Sequence, residues 1–282
     1  MTEQLNSTNS EPPTERSGWL TSRTLWVLAA GFIAVVVIAA GGILGARLVD
    51  EDTMVAAPSS SVATRPSIPG ENAQGFGTPS ADLLGRPVAH PNNLGGQVLP
   101  QQTVTRPDFR CDLPPACPLP DPPTGVMWQA VGPFVLPFST SDGPARIEGL
   151  ARASGYLRSP QGAVLAAWQI AWRASMSRAN YDAVMANQIV GTPADFESLR
   201  PKKDWDYSGA APVLLRPSAF RLTAYDGEHA VLQYALPDKS PSTWYTVQFE
   251  TVWSGGDWKL RAPASGSGAH TTVISLQGWV PW

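Results

Sequence analysis

The chain has 282 residues, among them 28 prolines and 11 tryptophans, with 15% charged residues and a formal net charge of −3 at pH 7. Residues 124–282 carry 13 Lys plus Arg against 12 Asp plus Glu, a net of +1 without a basic run, which lacks the electrostatic footprint of a nucleic-acid-binding protein, so no direct nucleic-acid contact is expected. Two cysteines and three histidines without ligand spacing leave no metal site, and no cofactor is expected.

In chain order, the first feature is the stretch 24–46, which carries no charge between Arg23 and Arg47. A helix rising ~1.5 Å per residue needs about 20 residues to cross the hydrocarbon core, so a transmembrane helix is expected over 24–47. Arg16 and Arg23 precede it, whereas Arg47 is followed at once by Asp50, Glu51 and Asp52. That bias places residues 1–23 in the cytoplasm and the bulk of the chain outside, on a single-pass anchor in the cell membrane. A cleaved signal peptide is the alternative. Its apolar region would be shorter, ~7–15 residues, and the candidate site Val55-Ala56-Ala57 runs directly into Pro58. Gly41 and Gly45 form a small-residue pair able to bring two anchors together, which would make the protein a homo-oligomer.

Half of the prolines lie between Pro58 and Pro123, among many Ser, Thr, Asn, Gln and Gly and with almost no apolar periodicity. Such a segment cannot bury enough apolar surface to offset its conformational entropy, so residues 48–123 are expected to form an extended linker. At ~3.1 Å per residue it would reach on the order of 200 Å as polyproline, or about 50 Å as a flexible coil. Cys111 and Cys117 fall inside it, in Cys-Asp-Leu-Pro-Pro-Ala-Cys. Outside a membrane the pair is expected to form a local disulfide, with free thiols as the alternative.

Residues 124–282 make one domain's worth of chain and hold nine of the eleven tryptophans. Gly132 to Phe138 reads as an entry arm laid on the domain surface. Ser159-Pro160 marks a helix start, an N-cap followed by proline at the first helical position, and the helix runs to about Met176. On it Val164, Trp168 and Trp172 recur every four residues, beside a seam of Ala163, Ala167 and Ala171. A second helix is expected over 180–190 with Tyr181, Met185 and Ile189 on one face, and a short third from Thr192-Pro193 to about Arg200.

From Ala219 the period becomes two. Phe220, Leu222 and Ala224 precede a hairpin turn at Asp226-Gly227; Ala230, Leu232, Tyr234 and Leu236 follow. Tyr245, Val247, Phe249 and Trp253 come next, then the turn 254–257, then Trp258 and Leu260, and a last strand within 271–276. Helices first and a meander after them give an α+β domain, with N-terminal helices packed on an antiparallel sheet. Trp168 and Tyr245 are expected on opposite halves of that interface.

The residue types that carry chemistry do not assemble into a catalytic set. His229 and His270 are the domain's only histidines. The Gly-Ser-Gly at 266–268 lacks nucleophile-elbow spacing, and Asp204 and Asp206 read as a solvated acidic pair. No phosphate-cradling glycine loop is present. An enzyme is therefore not expected. The tryptophans at 168, 172, 244, 253 and 258 read as core, with a pocket lining as the alternative, and Trp279 and Trp282 as exposed anchors for a partner.

The segments Gly-Pro-Phe-Val-Leu-Pro (132–137), Asp-Gly-Pro (142–144), Gly-Tyr-Leu-Arg-Ser-Pro-Gln-Gly-Ala-Val-Leu-Ala-Ala (155–167), Trp-Ser-Gly-Gly-Asp-Trp-Lys-Leu (253–260) and Gly-Trp-Val-Pro-Trp (278–282) resemble a family of actinobacterial membrane-anchored proteins of unknown function. That family is associated with integrative conjugative elements. The domain's layout is similar to the nuclear-transport-factor-2-like domains of type IV secretion inner-membrane scaffolds. The resemblance implies a cone-like curvature of the sheet, no catalytic residues, and other envelope proteins of a transfer machine as partners. Two functions stay open: a non-enzymatic bitopic scaffold of a conjugative, type IV secretion-like apparatus, and an extracytoplasmic module binding a small molecule or cell-envelope component in a cone-shaped pocket.

Overall fold

The computed structural model of the chain describes residues 73–82, 84–111, 117–201, 216–238, 242–262 and 271–282. The span 24–46 with Gly41 and Gly45, the tail before it, Asp204, Asp206, the 266–268 loop and His270 lie outside the described residues. Among the described residues no helix is long and apolar enough to cross a membrane.

The domain is α+β and mostly sheet, built around helix α1 (Pro160–Ala174). Ser159 caps it: its hydroxyl oxygen accepts the Gly162 N–H at 3.0 Å, and Pro160 sits at the first position, where no N–H is needed. All 15 residues of α1 are buried. A helix enclosed on every side needs cover from two layers, because one sheet can face only one stripe of it. The first layer is the antiparallel meander β8 (Ala219–Tyr225), β9 (His229–Pro237), β10 (Trp244–Ser254) and β11 (Asp257–Arg261). From this layer the Tyr234 hydroxyl donates to the Val164 carbonyl. The second layer is the hairpin β3 (Met127–Val131) and β4 (Phe134–Phe138). Trp168 Nε1 donates to the Val135 carbonyl at 3.2 Å and Gln169 Nε2 to the Pro137 carbonyl at 2.8 Å. Residues 132–138 are thus no surface arm. Every position of β4 is buried.

The two expected hairpin turns form. Asp226 Oδ1 accepts the Glu228 and His229 N–H groups at 2.8 and 2.6 Å. Gly255 and Gly256 take φ of +64° and +82°, the left-handed pair that a two-residue hairpin turn requires. Helix α2 (Arg178–Asn187) starts at Ser177, whose hydroxyl accepts the Asn180 N–H at 3.1 Å. It stops three residues earlier than expected, because Ile189 and Val190 leave it as β7 to pair in parallel with Leu260 and Arg261. The third helix appears as a 3-10 helix, Pro193–Leu199. In 271–276 only Thr272–Val273 (β12) pairs, with the start of β10.

The linker expectation is corrected for its described part, 73–82, 84–111 and 117–123. Ser80–Ala81 (β1) and Pro87–Val88 (β2) form a small hairpin, and Val88 and Leu99 are buried. Ala89 inserts beside β3, donating to the Trp128 carbonyl and accepting from the Ala130 N–H, both at 2.9 Å. Gln97 and Gln129 exchange two bonds of 2.7 and 2.8 Å. The segment is a strap held by hydrogen bonds to distant residues, which need no apolar periodicity of its own.

The C-terminus is corrected too. Val280–Pro281 (β13) pairs with β8, and residues alternate across the strand. Trp279 packs on the outer face with Ala219 and Ala235, only 5% exposed, with the Arg221 guanidinium 4.5 Å from its ring centre. Trp282 turns inward, with ring centres of Trp128 at 4.9 Å and Phe220 at 5.0 Å. Neither is an exposed anchor.

Between a second hairpin, β5 (Arg146–Glu148) with β6 (Arg152–Ser154), and the last turn of α1 lies Arg173, with no exposed surface. Its nitrogens donate to the carbonyls of Leu150 at 2.7 Å and Gly95 at 2.8 Å and to Gln169 Oε1 at 2.8 Å. Burial pulls its pKa down to about 10, with Tyr156 acting in the opposite sense. Burial also pushes the phenols of Tyr156, Tyr234 and Tyr245 above their ordinary value of 10, and that of Tyr225 up to about 12. A phenol whose folded pKa is raised contributes stability that is complete below pH 10 and lost as pH rises through the folded value. Arg173 works the other way above pH 10, where the unfolded chain holds a proton that the folded chain has lost. Burial lowers Arg86, Arg216 and Arg221 as well, but from 12.5 and with each less buried than Arg173, so just above pH 10 the raised phenols, Tyr181 among them, decide the sign. The domain is therefore expected to unfold in alkali above pH 10, with phenolate absorbance and loss of near-UV circular dichroism rising together. Titration of these tyrosines with the fold intact would contradict their burial.

Candidate binding cleft

The strap crosses the N-terminal end of α1 and leaves a cleft of about 490 Å³ beneath it. One wall is the arm 104–110, the other the arm 119–121, and the floor is Leu157 to Gln161 at the start of α1. The β8–β9 turn, Tyr225 to Gly227, closes the far side. The two arms are joined by a disulfide between Cys111 and Cys117, whose Cα atoms are 5.0 Å apart.

Each wall is fixed by contacts far apart in sequence. Cys111 and Tyr225 exchange backbone hydrogen bonds of 2.8 and 2.9 Å, so the strap adds a residue to the edge of β8. The Phe109 ring stands edge-on to Tyr225 at 5.7 Å. Arg110 donates to the Asp226 carbonyl at 3.1 Å. The other arm is tied by Gln161 Nε2, which donates to the Asp121 carbonyl at 2.7 Å. Arg158 reaches the Gly227 carbonyl and Glu228 Oε1, both at 2.9 Å, and lies over Trp253.

At the neck of the strap, Arg106 grips Asp142 with two nitrogens at 2.7 and 2.9 Å. The Asp142 side chain is fully buried, and its carboxylate also accepts from the Ser141 hydroxyl at 2.7 Å and the Thr124 N–H at 3.3 Å. A bidentate guanidinium with hydroxyl and amide donors supplies the partners a buried carboxylate needs.

The lining mixes apolar and charged groups. Leu119 and Leu157 are 56% and 43% exposed, and the lining also holds Pro107 and Pro120, the cations Arg110 and Arg158 and the anions Asp108, Asp121 and Asp226. Ser159 holds the helix cap, and Tyr225 stays protonated because burial raises its phenol to about 12. Such a surface is suited to hold a partner by shape, apolar contact and paired charges.

Of the sequence-derived site residues, Cys111 and Cys117 join the two arms of this cleft through their disulfide but do not line it. His229 stands outside it at the start of β9, exposed and 3.5 Å from Asp226. Trp168, Trp172 and Trp258 are core, while Trp244 and Trp253 are half-buried. Sequence reasoning missed Arg106, Asp142 and Gln161. Asp142 lies in the quoted Asp-Gly-Pro segment, but its partner is 36 residues away and no local pattern joins them. Among the described residues, no group of three His, Cys, Asp or Glu could hold a metal ion.

A disulfide-closed strap laid over an α+β domain is the class of structure these elements define. Residues 89–281 match the family described as a domain of unknown function (DUF8175). The chain belongs to that family, and the match takes in the strap from Ala89 onward as well as the sheet and helices. No curated protein and no solved structure matches the chain.

Proposed function

We propose that the protein is a non-enzymatic, single-pass membrane scaffold whose extracytoplasmic domain contacts other envelope proteins of a conjugative, type IV secretion-like apparatus. The carrying observation is the division of labour within the domain. The space between α1 and the sheet is filled by Trp168, Tyr234 and Trp258, each without exposed surface, so recognition falls to the outside. The strap that forms the outer cleft lies on the side of the domain toward the apolar span in sequence. The resemblance to conjugative-element proteins, and the layout similar to cone-shaped secretion-scaffold domains, supply the setting.

Deleting residues 73–282 from the intact gene should abolish conjugative transfer while the truncated anchor still reaches the membrane. Alanine at His229, His270, Asp204 or Asp206 should leave transfer nearly unchanged. Transfer indifferent to loss of the whole domain would overturn the scaffold reading. A second reading, a module for a small envelope component, is favoured by the cleft volume, which lies within the ~300–1,000 Å³ of ligand sites. It predicts instead that Arg110→Ala or Leu119→Ala abolishes function without changing stability or association.

A further inference from the structure

Both ends of the cleft-forming part of the strap meet at one buried carboxylate. Arg106, on the way in, and the Thr124 N–H, on the way out, both bond Asp142. None of these bonds involves the two cysteines. Beyond it the arms differ. The first is fastened at Cys111 by two backbone bonds to Tyr225 and by the Phe109 ring. The second, 117–121, shows among the described residues one polar tie, from Gln161 to the Asp121 carbonyl; Pro120 is buried, and the disulfide is the arm's covalent link to the first.

The sulfurs differ in the same sense. Cys111 is 5% exposed and has the Thr223 carbonyl 3.7 Å from its Sγ, an acceptor for a thiol there. Cys117 is half-buried. An external thiolate therefore reaches the Cys117 sulfur more readily, since exchange proceeds by attack on an accessible sulfur.

We infer that the Cys111–Cys117 disulfide is a redox-operated latch on the cleft, with the first arm remaining docked and the second released on reduction. The reductant is an external dithiol. One of its thiolates attacks Cys117 Sγ, the Cys111–Cys117 bond breaks, and Cys111 leaves as a thiolate that takes up a proton. The second external thiol then displaces Cys117 from the mixed disulfide and closes the reductant's own disulfide. Two electrons and two protons pass to the protein. Release of 117–121 removes the Leu119 wall, so the cleft exists in the oxidised form alone. The inference stands on the strap geometry and is independent of the scaffold reading.

The test uses the full chain in detergent, with dithiothreitol as reductant and a maleimide as the thiol probe. After reduction, Cys117 should be alkylated at least tenfold faster than Cys111. Amide exchange at Cys111 and Tyr225 should stay slow, and near-UV circular dichroism should be unchanged. The C117S variant, which carries the open latch without reductant, should show the same protected Tyr225 amide. Resistance of the bond to reduction in the folded protein would overturn the latch. So would equal alkylation of both cysteines, loss of Tyr225 protection, or unfolding of the domain on reduction.

Discussion

Arg173→Ala is expected to lower the stability of the domain by about 3–5 kcal/mol, because it strips the donor from three neutral acceptors. The guanidinium has no exposed surface, and it donates to the carbonyls of Gly95 and Leu150 and to Gln169 Oε1. Each buried acceptor left without a donor costs ~1–3 kcal/mol. Relief from burying a cation offsets part of that loss, and the depressed pKa of about 10 shows that this burial is unfavourable to the charge. Arg173→Lys should recover little, because one ammonium cannot present a planar fork to three acceptors. Chemical denaturation of the three proteins checks this. A near-neutral alanine variant would mean that water satisfies the Gly95 and Leu150 carbonyls.

Trp168→Ala should be comparably damaging, at ~3–5 kcal/mol, because its ring is enclosed between two layers. Its centre lies 5.3 Å from that of Trp172 and 4.8 Å from that of Tyr234, and its N–H bonds the Val135 carbonyl. Tyr245→Ala should have a clearly smaller effect, since Tyr245 is half-buried on β10. Melting of the three proteins side by side would show the difference. Equal losses at 168 and 245 would place the helix over the other end of the sheet.

The helices and hairpins were legible because their signals are local. Ser159-Pro160, Asp226-Gly227 and Gly255-Gly256 each act within a few residues, through a cap, a side-chain-to-amide bond or a left-handed turn. The alternation in β8 to β11 was equally visible, and the disulfide followed from two cysteines a short loop apart. The candidate cleft was much less legible. Asp142 resembles any other loop acid until Arg106 arrives from 36 residues away, and Gln161 finds Asp121 across 40 residues.

The chain by itself therefore determined the α+β class, the starts of α1 and of the 3-10 helix, the meander and the position of the apolar span 24–46. Tertiary structure alone decided which surfaces are inside. Residues 132–138 read as a surface arm but include a buried strand, because α1 is enclosed on every side and needed a second layer. The strap looked like a spacer because proline-rich chain lacks periodicity, yet Val88, Leu99 and Cys111 found buried positions. Trp279 and Trp282 were drawn in by an edge of β8 that was still unpaired. In each case the deciding partner lies far away along the chain, and burial is a property of the pair.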